Sequence, residues 1–134
     1  MKRFLLRTLL LAWFGLLAGN AGFAQSPDNT APIGAALRNG SSRELAQYLA
    51  PAVEVLFDGD SKSYSATQAE LVVRDFFSKS PPSSFEFIHQ GSSREGIQYA
   101  MGRYTSRGVS YRVYIKLQPG KATPMIDTLD FTKE

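Results

Sequence analysis

From Val109 to Leu117 the chain alternates without a break. Val109, Tyr111, Val113, Ile115 and Leu117 are apolar or aromatic, and Ser110, Arg112, Tyr114 and Lys116 stand between them. Side chains on a strand point to opposite faces with a period of two, so this is a strand with one dry face and one wet face. Such a strand cannot stand alone. It needs neighbouring strands for its backbone polar groups and a second layer over its dry face. Arg107-Gly108, directly ahead of it, reads as a tight hairpin to a partner strand over Ile97–Ser106. Ser84–Gln90 and Met125–Thr132 supply the other two main strands, set off by turn residues at Gly91–Gly96 and Pro119-Gly120.

The covering layer is also legible. Ala69, Val72, Val73, Phe76 and Phe77 follow the i, i+3, i+4, i+7, i+8 spacing of a helix with one apolar face. Ser65 and Gln68 form a capping box ahead of it, and Ser80-Pro81-Pro82 stops it. The helix is therefore placed at 66–79, with Phe76 and Phe77 as core anchors. Glu70 with Arg74 and Asp75 with Lys79 are expected as i,i+4 pairs on its wet side.

Upstream, Ala52–Phe57 reads as a strand with Val53, Val55 and Phe57 on one face. Asp58-Gly59 turns it into a short return strand over Lys62–Ser65. Two short helices precede it. One carries Ile33, Ala36 and Leu37 and stops at Asn39-Gly40; the next is capped by Ser41 with Glu44, carries Leu45, Ala46 and Leu49, and ends at Pro51. The expected class is α+β: an antiparallel sheet of about four main strands plus a short hairpin, packed on an amphipathic helix and two short N-terminal helices. Gly-Ser-Ser-Arg-Glu occurs at 40–44 and again at 91–95. The flanks share no pattern, so the repeat reads as coincidence rather than duplication.

Charge enters through the N-terminus. The chain has 134 residues, 15 basic against 12 acidic. Lys2, Arg3 and Arg7 account for the whole excess. They precede an apolar run from Thr8 to Ala18, and Gly22-Phe23-Ala24 then places small residues where a signal peptidase reads. This is the three-part pattern of a secretory signal peptide. The run is too short for a spanning helix, which needs about 20 apolar residues. Expected are a signal peptide over 1–24 cleaved after Ala24, a flexible leader over 25–32 (QSPDNTAP), and one domain over 33–134 in the periplasm or secreted. Cleavage would remove Trp13, the only Trp.

The domain left behind is neutral overall, which argues against nucleic acid and other polyanions as partners. The chain has no Cys and one His, His89. That excludes disulfides, thiol nucleophiles and multi-histidine or Cys-based metal sites. There is no nucleophile elbow and no Gly-rich phosphate loop, so no cofactor, no metal and no catalytic set is assigned. Asp58-Gly59-Asp60 lacks the further ligands of a calcium loop and reads as a turn. His89 and Asp127 are the two candidate general bases. Asp127 shares its parity with Leu129 and Phe131, and a bulge would turn it to solvent.

The order of elements resembles the nuclear-transport-factor-like superfamily, the cystatin-like α+β cone. More narrowly, Tyr64–Glu70 (YSATQAE) with Asp75-Phe76-Phe77, the strand Phe85–Gly91 (FEFIHQG), Tyr99–Gly102 (YAMG) and Tyr111–Ile115 (YRVYI) resemble a family of small exported proteins, largely from Bacteroidetes-type bacteria, carried as a domain of unknown function. The resemblance implies a curved sheet wrapped on the helices, with a pocket in the cone. It implies no catalytic residue. Three readings follow. The first is a non-enzymatic exported domain binding a small apolar ligand or a protein partner, with Phe85, Phe87, His89, Tyr99 and Tyr111 as candidate pocket residues. The second is a cone-type isomerase or lyase using His89 or Asp127 as base and a Tyr as hydrogen-bond donor. The third is a homodimer joined through a wet sheet face carrying Tyr104, Arg112 and Tyr114.

Overall fold

The computed structural model describes residues 30–134. The expected signal peptide and the first residues of the leader lie outside them. Helix α1 (Ala31–Asn39) begins with Pro32 in its first turn, where a missing N–H costs nothing. It ends at Gly40, whose left-handed backbone (φ 62°) lets its N–H reach the carbonyls of Ala36 and Leu37. Helix α2 (Ser42–Ala46) is capped by Ser41, whose hydroxyl accepts from the Glu44 N–H at 3.1 Å.

The chain then leaves the helix earlier than its sequence suggests. Strand β1 runs Leu49–Phe57, so Leu49 belongs to the sheet and Pro51 lies inside a strand. Pro51 is tolerated because neither neighbour pairs with it. Pairing with β2 (Asp60–Ser65) starts at Ala52, and the register against β6 (Ile126–Lys133) jumps between Leu49 and Glu54. Asp58 and Gly59 turn the β1–β2 hairpin with φ of 51° and 85°, the signs a type I′ turn requires.

Helix α3 (Ala66–Lys79) has both halves of its capping box, Ser65 with Gln68. Strands β3 (Ser84–Ser92), β4 (Gln98–Ser106) and β5 (Val109–Leu117) follow, then β6. The sheet order is β2-β1-β6-β5-β4-β3. This corrects the division into four main strands and a separate hairpin. All six strands form one sheet, because β1 pairs in parallel with β6 while every other pair is antiparallel. The two copies of Gly-Ser-Ser-Arg-Glu play unrelated parts. One spans the α1–α2 junction, and the other ends β3 and enters a turn.

The helices cover one face of the sheet. The core between them holds Ile33, Leu37, Leu45, Val53, Val55, Val73, Phe85, Tyr104, Val113, Ile115, Leu129 and Phe131, none more than 3% exposed. Burial of a side chain of this kind stabilises by about 1.5–3 kcal/mol. Asp75 and Lys79 pair at 3.0 Å on the exposed side of α3. Among the described residues no ion pair joins Glu70 to Arg74. No helix of the described residues is long and apolar enough to cross a membrane.

Candidate functional site

The core stops short of one end of the sheet. There, between the last two turns of α3 and the inner face of β2, β1, β6 and β5, lies a cavity of about 400 Å³. Its walls follow from strand parity. Val55 and Phe57 of β1 face inward, opposite Leu129 and Phe131 of β6. Tyr111 of β5 faces inward beside Lys133. Val72 and Phe76 come down from α3, one helical turn apart.

Phe76 is the hub of the wall. Its ring centroid lies 4.6 Å from Phe131 and 5.3 Å from Phe57, and Tyr111 meets it edge-on at 5.3 Å. Phe57 stacks on Phe131 at 5.6 Å. Such contacts hold rings in fixed places; Phe131 is buried beneath the others, and Phe57, Phe76 and Tyr111 remain half-buried at the cavity. The rim is polar: Asp58, Asp60, Lys62, Tyr64, Asp75, Lys79, Ser80 and Lys133. Two of its three carboxylates are engaged. Asp75 holds Lys79, and Asp58 accepts the Lys133 main-chain N–H at 2.7 Å.

Of the residues expected in a pocket, only Tyr111 lines this cavity. Phe85 is 3% exposed and packs on Gly102, where a Cβ would sit 2.8 Å from the Glu86 carbonyl and against the Phe85 ring. Phe87 covers Gly34 of α1 and meets Phe85 edge-on at 5.0 Å. His89 does not share their face. The register of β3 against β4 shifts between Phe87 and His89, so Ile88 is the extra residue and His89 turns outward opposite Met101. Tyr99 is also on the outer face, paired with Lys116. Its ring stacks on Tyr114 at 6.2 Å, and its hydroxyl lies 3.3 Å from His89 Nε2.

Tyr104 is a correction in the opposite sense. It is not on the wet face with Arg112 and Tyr114; it is 0% exposed in the core. Its hydroxyl donates to the Ser80 carbonyl. Burial, and secondly the neighbouring Tyr111, push its phenol well above the usual tyrosine range. Arg112 is exposed and Tyr114 half-buried, both on the outer face as expected.

Neither candidate base faces the cavity. His89 is exposed. Asp127 is the bulged residue of β6, since Leu117 pairs with Ile126 and Lys116 with Thr128. Its carboxylate lies 3.6 Å from Lys116 Nζ and accepts from Thr128 Oγ1 at 3.0 Å. The isomerase or lyase reading requires a base beside a tyrosine hydroxyl in one cavity, and neither residue lines this one. The residues that form it, Phe57, Phe76 and Phe131 above all, read in the sequence as core.

A family model described as a domain of unknown function, DUF4783, matches residues 30–132. The chain belongs to the DUF4783 family. Crystal structures of DUF4783 proteins from Bacteroides ovatus and Bacteroides uniformis are similar to it throughout the domain. The first is 27% identical with a TM-score of 0.73, covering 78% of this chain and 94% of that one. The second is 24% identical with a TM-score of 0.72, covering 82% and 98%. An NTF2-like protein of unknown function from Shewanella baltica, 8% identical with a TM-score of 0.60 over 80% of this chain and 89% of its own, shares the fold alone. No curated protein matches the sequence. This DUF4783 domain is thus an α+β, NTF2-like fold with a six-stranded sheet.

Proposed function

We propose that this protein is an exported, non-enzymatic domain that binds a small apolar ligand between α3 and the sheet. The single observation that supports the reading is the cavity. Phe57, Val72, Phe76 and Tyr111 give it an apolar wall, backed by the buried Val55 and Phe131, and its rim is polar; an apolar wall with a few polar groups is what small-molecule sites share. A volume of about 400 Å³ is the bulk share of about 13 waters at about 30 Å³ each. A ligand of roughly a dozen non-hydrogen atoms fits that space.

Calorimetric titration with 4-phenylbutan-1-ol tests this. Saturable one-to-one binding to the wild type, lost in Val72→Phe, is the expected result. Equal binding to both proteins, or none to either, would overturn it.

Export rests on the N-terminal pattern of Lys2, Arg3 and Arg7 ahead of the apolar run. Protein recovered from the cell envelope or medium should begin at Gln25 and show tyrosine but no tryptophan emission. Tryptophan emission would mean that Trp13 is retained.

A second reading, a protein partner on the outer sheet face, is favoured by Ile88. It is 54% exposed at the bulge, next to His89, which pairs with Met101, itself the partner of Tyr114 on the outer face. Tyr and Arg are interface-enriched residue types, and Arg112 is on the same face. Light scattering on wild type and Ile88→Lys would detect a homodimer formed there.

A further inference from the structure

We infer that the outer face of β3, β4 and β5 carries a second site, a flat tyrosine platform for a neutral polysaccharide chain. It is separate from the cavity and goes beyond both readings above.

The platform begins at Gly91, which pairs with Tyr99 across β3 and β4. A Cβ at position 91 would lie 2.8 Å from the Tyr99 hydroxyl oxygen, 3.0 Å from Cζ and 3.4 Å from Cε1. An approach along the ring's edge would bring Cε1 nearer than Cζ. Cζ is the nearer carbon, so the glycine faces the flat of the ring. Tyr99 therefore lies down across the sheet, with one face on β3 and the other turned outward. Its hydroxyl is steadied by His89, whose Nε2 lies 3.3 Å away.

Tyr114 on β5 is near-parallel to it, at 29°, with ring centroids 6.2 Å apart. At that offset neither ring covers most of the other's face. Both side chains are half-buried. Shielding of a glycine backbone accounts for the pose of Tyr99. It gives no reason for a second ring laid alongside.

A flat aromatic face is electron-rich and attracts C–H groups. The ring faces of a sugar with equatorial hydroxyls are C–H surfaces, and the hydroxyls around its edge both donate and accept. Partners of both kinds flank the platform. Lys116 is the cross-strand neighbour of Tyr99, and Asp130 is that of Tyr114. Thr128 stands beyond Lys116. The charges balance: Lys116 lies 3.6 Å from Asp127, Arg103 lies 3.5 Å from Glu134, and Arg112 shares the face with Asp130. Phosphates of a nucleic acid would find no surplus of positive charge here. An uncharged chain rich in hydroxyls is the occupant that matches the face.

Amide chemical-shift titrations with cellohexaose, and separately with the single-stranded octamer of thymidylate, test this on wild type, Tyr99→Ala and Gly91→Ala. Gly91 has no positive φ, so alanine is tolerated by the backbone there. Its methyl lifts the Tyr99 ring off the sheet while leaving both tyrosines in place. Cellohexaose should give saturable shifts at Tyr99, Met101 and Tyr114. Tyr99→Ala should weaken binding roughly tenfold and Gly91→Ala about threefold, and the signals of α3 report that both variants stay folded. No saturable binding of cellohexaose to wild type would overturn the inference, as would shifts confined to other residues. Tighter binding of the thymidylate octamer would overturn it in favour of a nucleic acid. Affinity unchanged in both variants would overturn the assignment to this platform.

Discussion

The hydroxyl of Tyr104 donates a hydrogen bond to the main-chain carbonyl of Ser80. This ties the middle of β4 to the residue that caps α3, whose own N–H returns to Phe76 at 2.8 Å. The bond fixes the end of the helix that forms the cavity wall. Tyr104→Phe keeps the ring and removes the donor, leaving a half-buried carbonyl unmatched. It should lower the unfolding free energy by about 1–2 kcal/mol in urea melts. It should also broaden the amide signals of Phe76 and Ser80 more than those of α1. A variant as stable as wild type would show that the bond carries nothing.

The same phenol gives a signed pH dependence. Its native pKa is raised, chiefly by burial, so the folded protein keeps the proton where the unfolded chain loses it. The contribution is complete below the unfolded value of about 10 and is lost as pH rises toward the native one. Above pH 10, stability of the wild type should fall more steeply than that of Tyr104→Phe, by up to about 1.4 kcal/mol per pH unit. Parallel slopes would contradict the assignment.

Gly102 and Phe85 make a second packing test. A Cβ at 102 meets the Phe85 ring and lies 2.8 Å from the Glu86 carbonyl. Gly102→Ala should cost about 2–3 kcal/mol, because a backbone atom must move as well as a ring. Phe85→Ala alone should cost about 3–5 kcal/mol. Combining them should cost less than the sum, since the cavity of one accommodates the methyl of the other. Strict additivity in thermal melts would mean that the carbonyl contact dominates.

Val72 lies at the wall on α3, half-buried. Val72→Phe replaces a β-branched residue with a ring that can fill the void. Stability should hold or rise by about 1 kcal/mol. Ligand binding should disappear. Loss of stability would mean that the space is already filled.

Much of this molecule was readable from spacing. The bounds of β5 and α3, both hairpin turns and the Ser41 and Ser65 caps follow from patterns of a few adjacent residues. Three features did not. The parallel pairing of β1 with β6 joins segments about 75 residues apart, and no local pattern records it. The β3 bulge at Ile88 reverses the parity of His89 and is invisible in a run that otherwise alternates. Tyr104 was recoverable. The two-residue turn at Arg107-Gly108 pairs Ser106 with Val109 and therefore Tyr104 with Tyr111, so the two must share the inner face. The cavity is the hardest case. Phe57, Phe76 and Phe131 carry the same signal whether they fill a core or line a void, and only the third dimension separates the two.

The most direct test of the central claim is an amide chemical-shift titration of the purified protein with octan-1-ol, a neutral probe. The account predicts saturable shifts at Phe57, Val72, Phe76, Tyr111 and Phe131, with Ile88, Tyr99 and Tyr114 unmoved. Shifts confined to the outer face, or none that saturate, would contradict it.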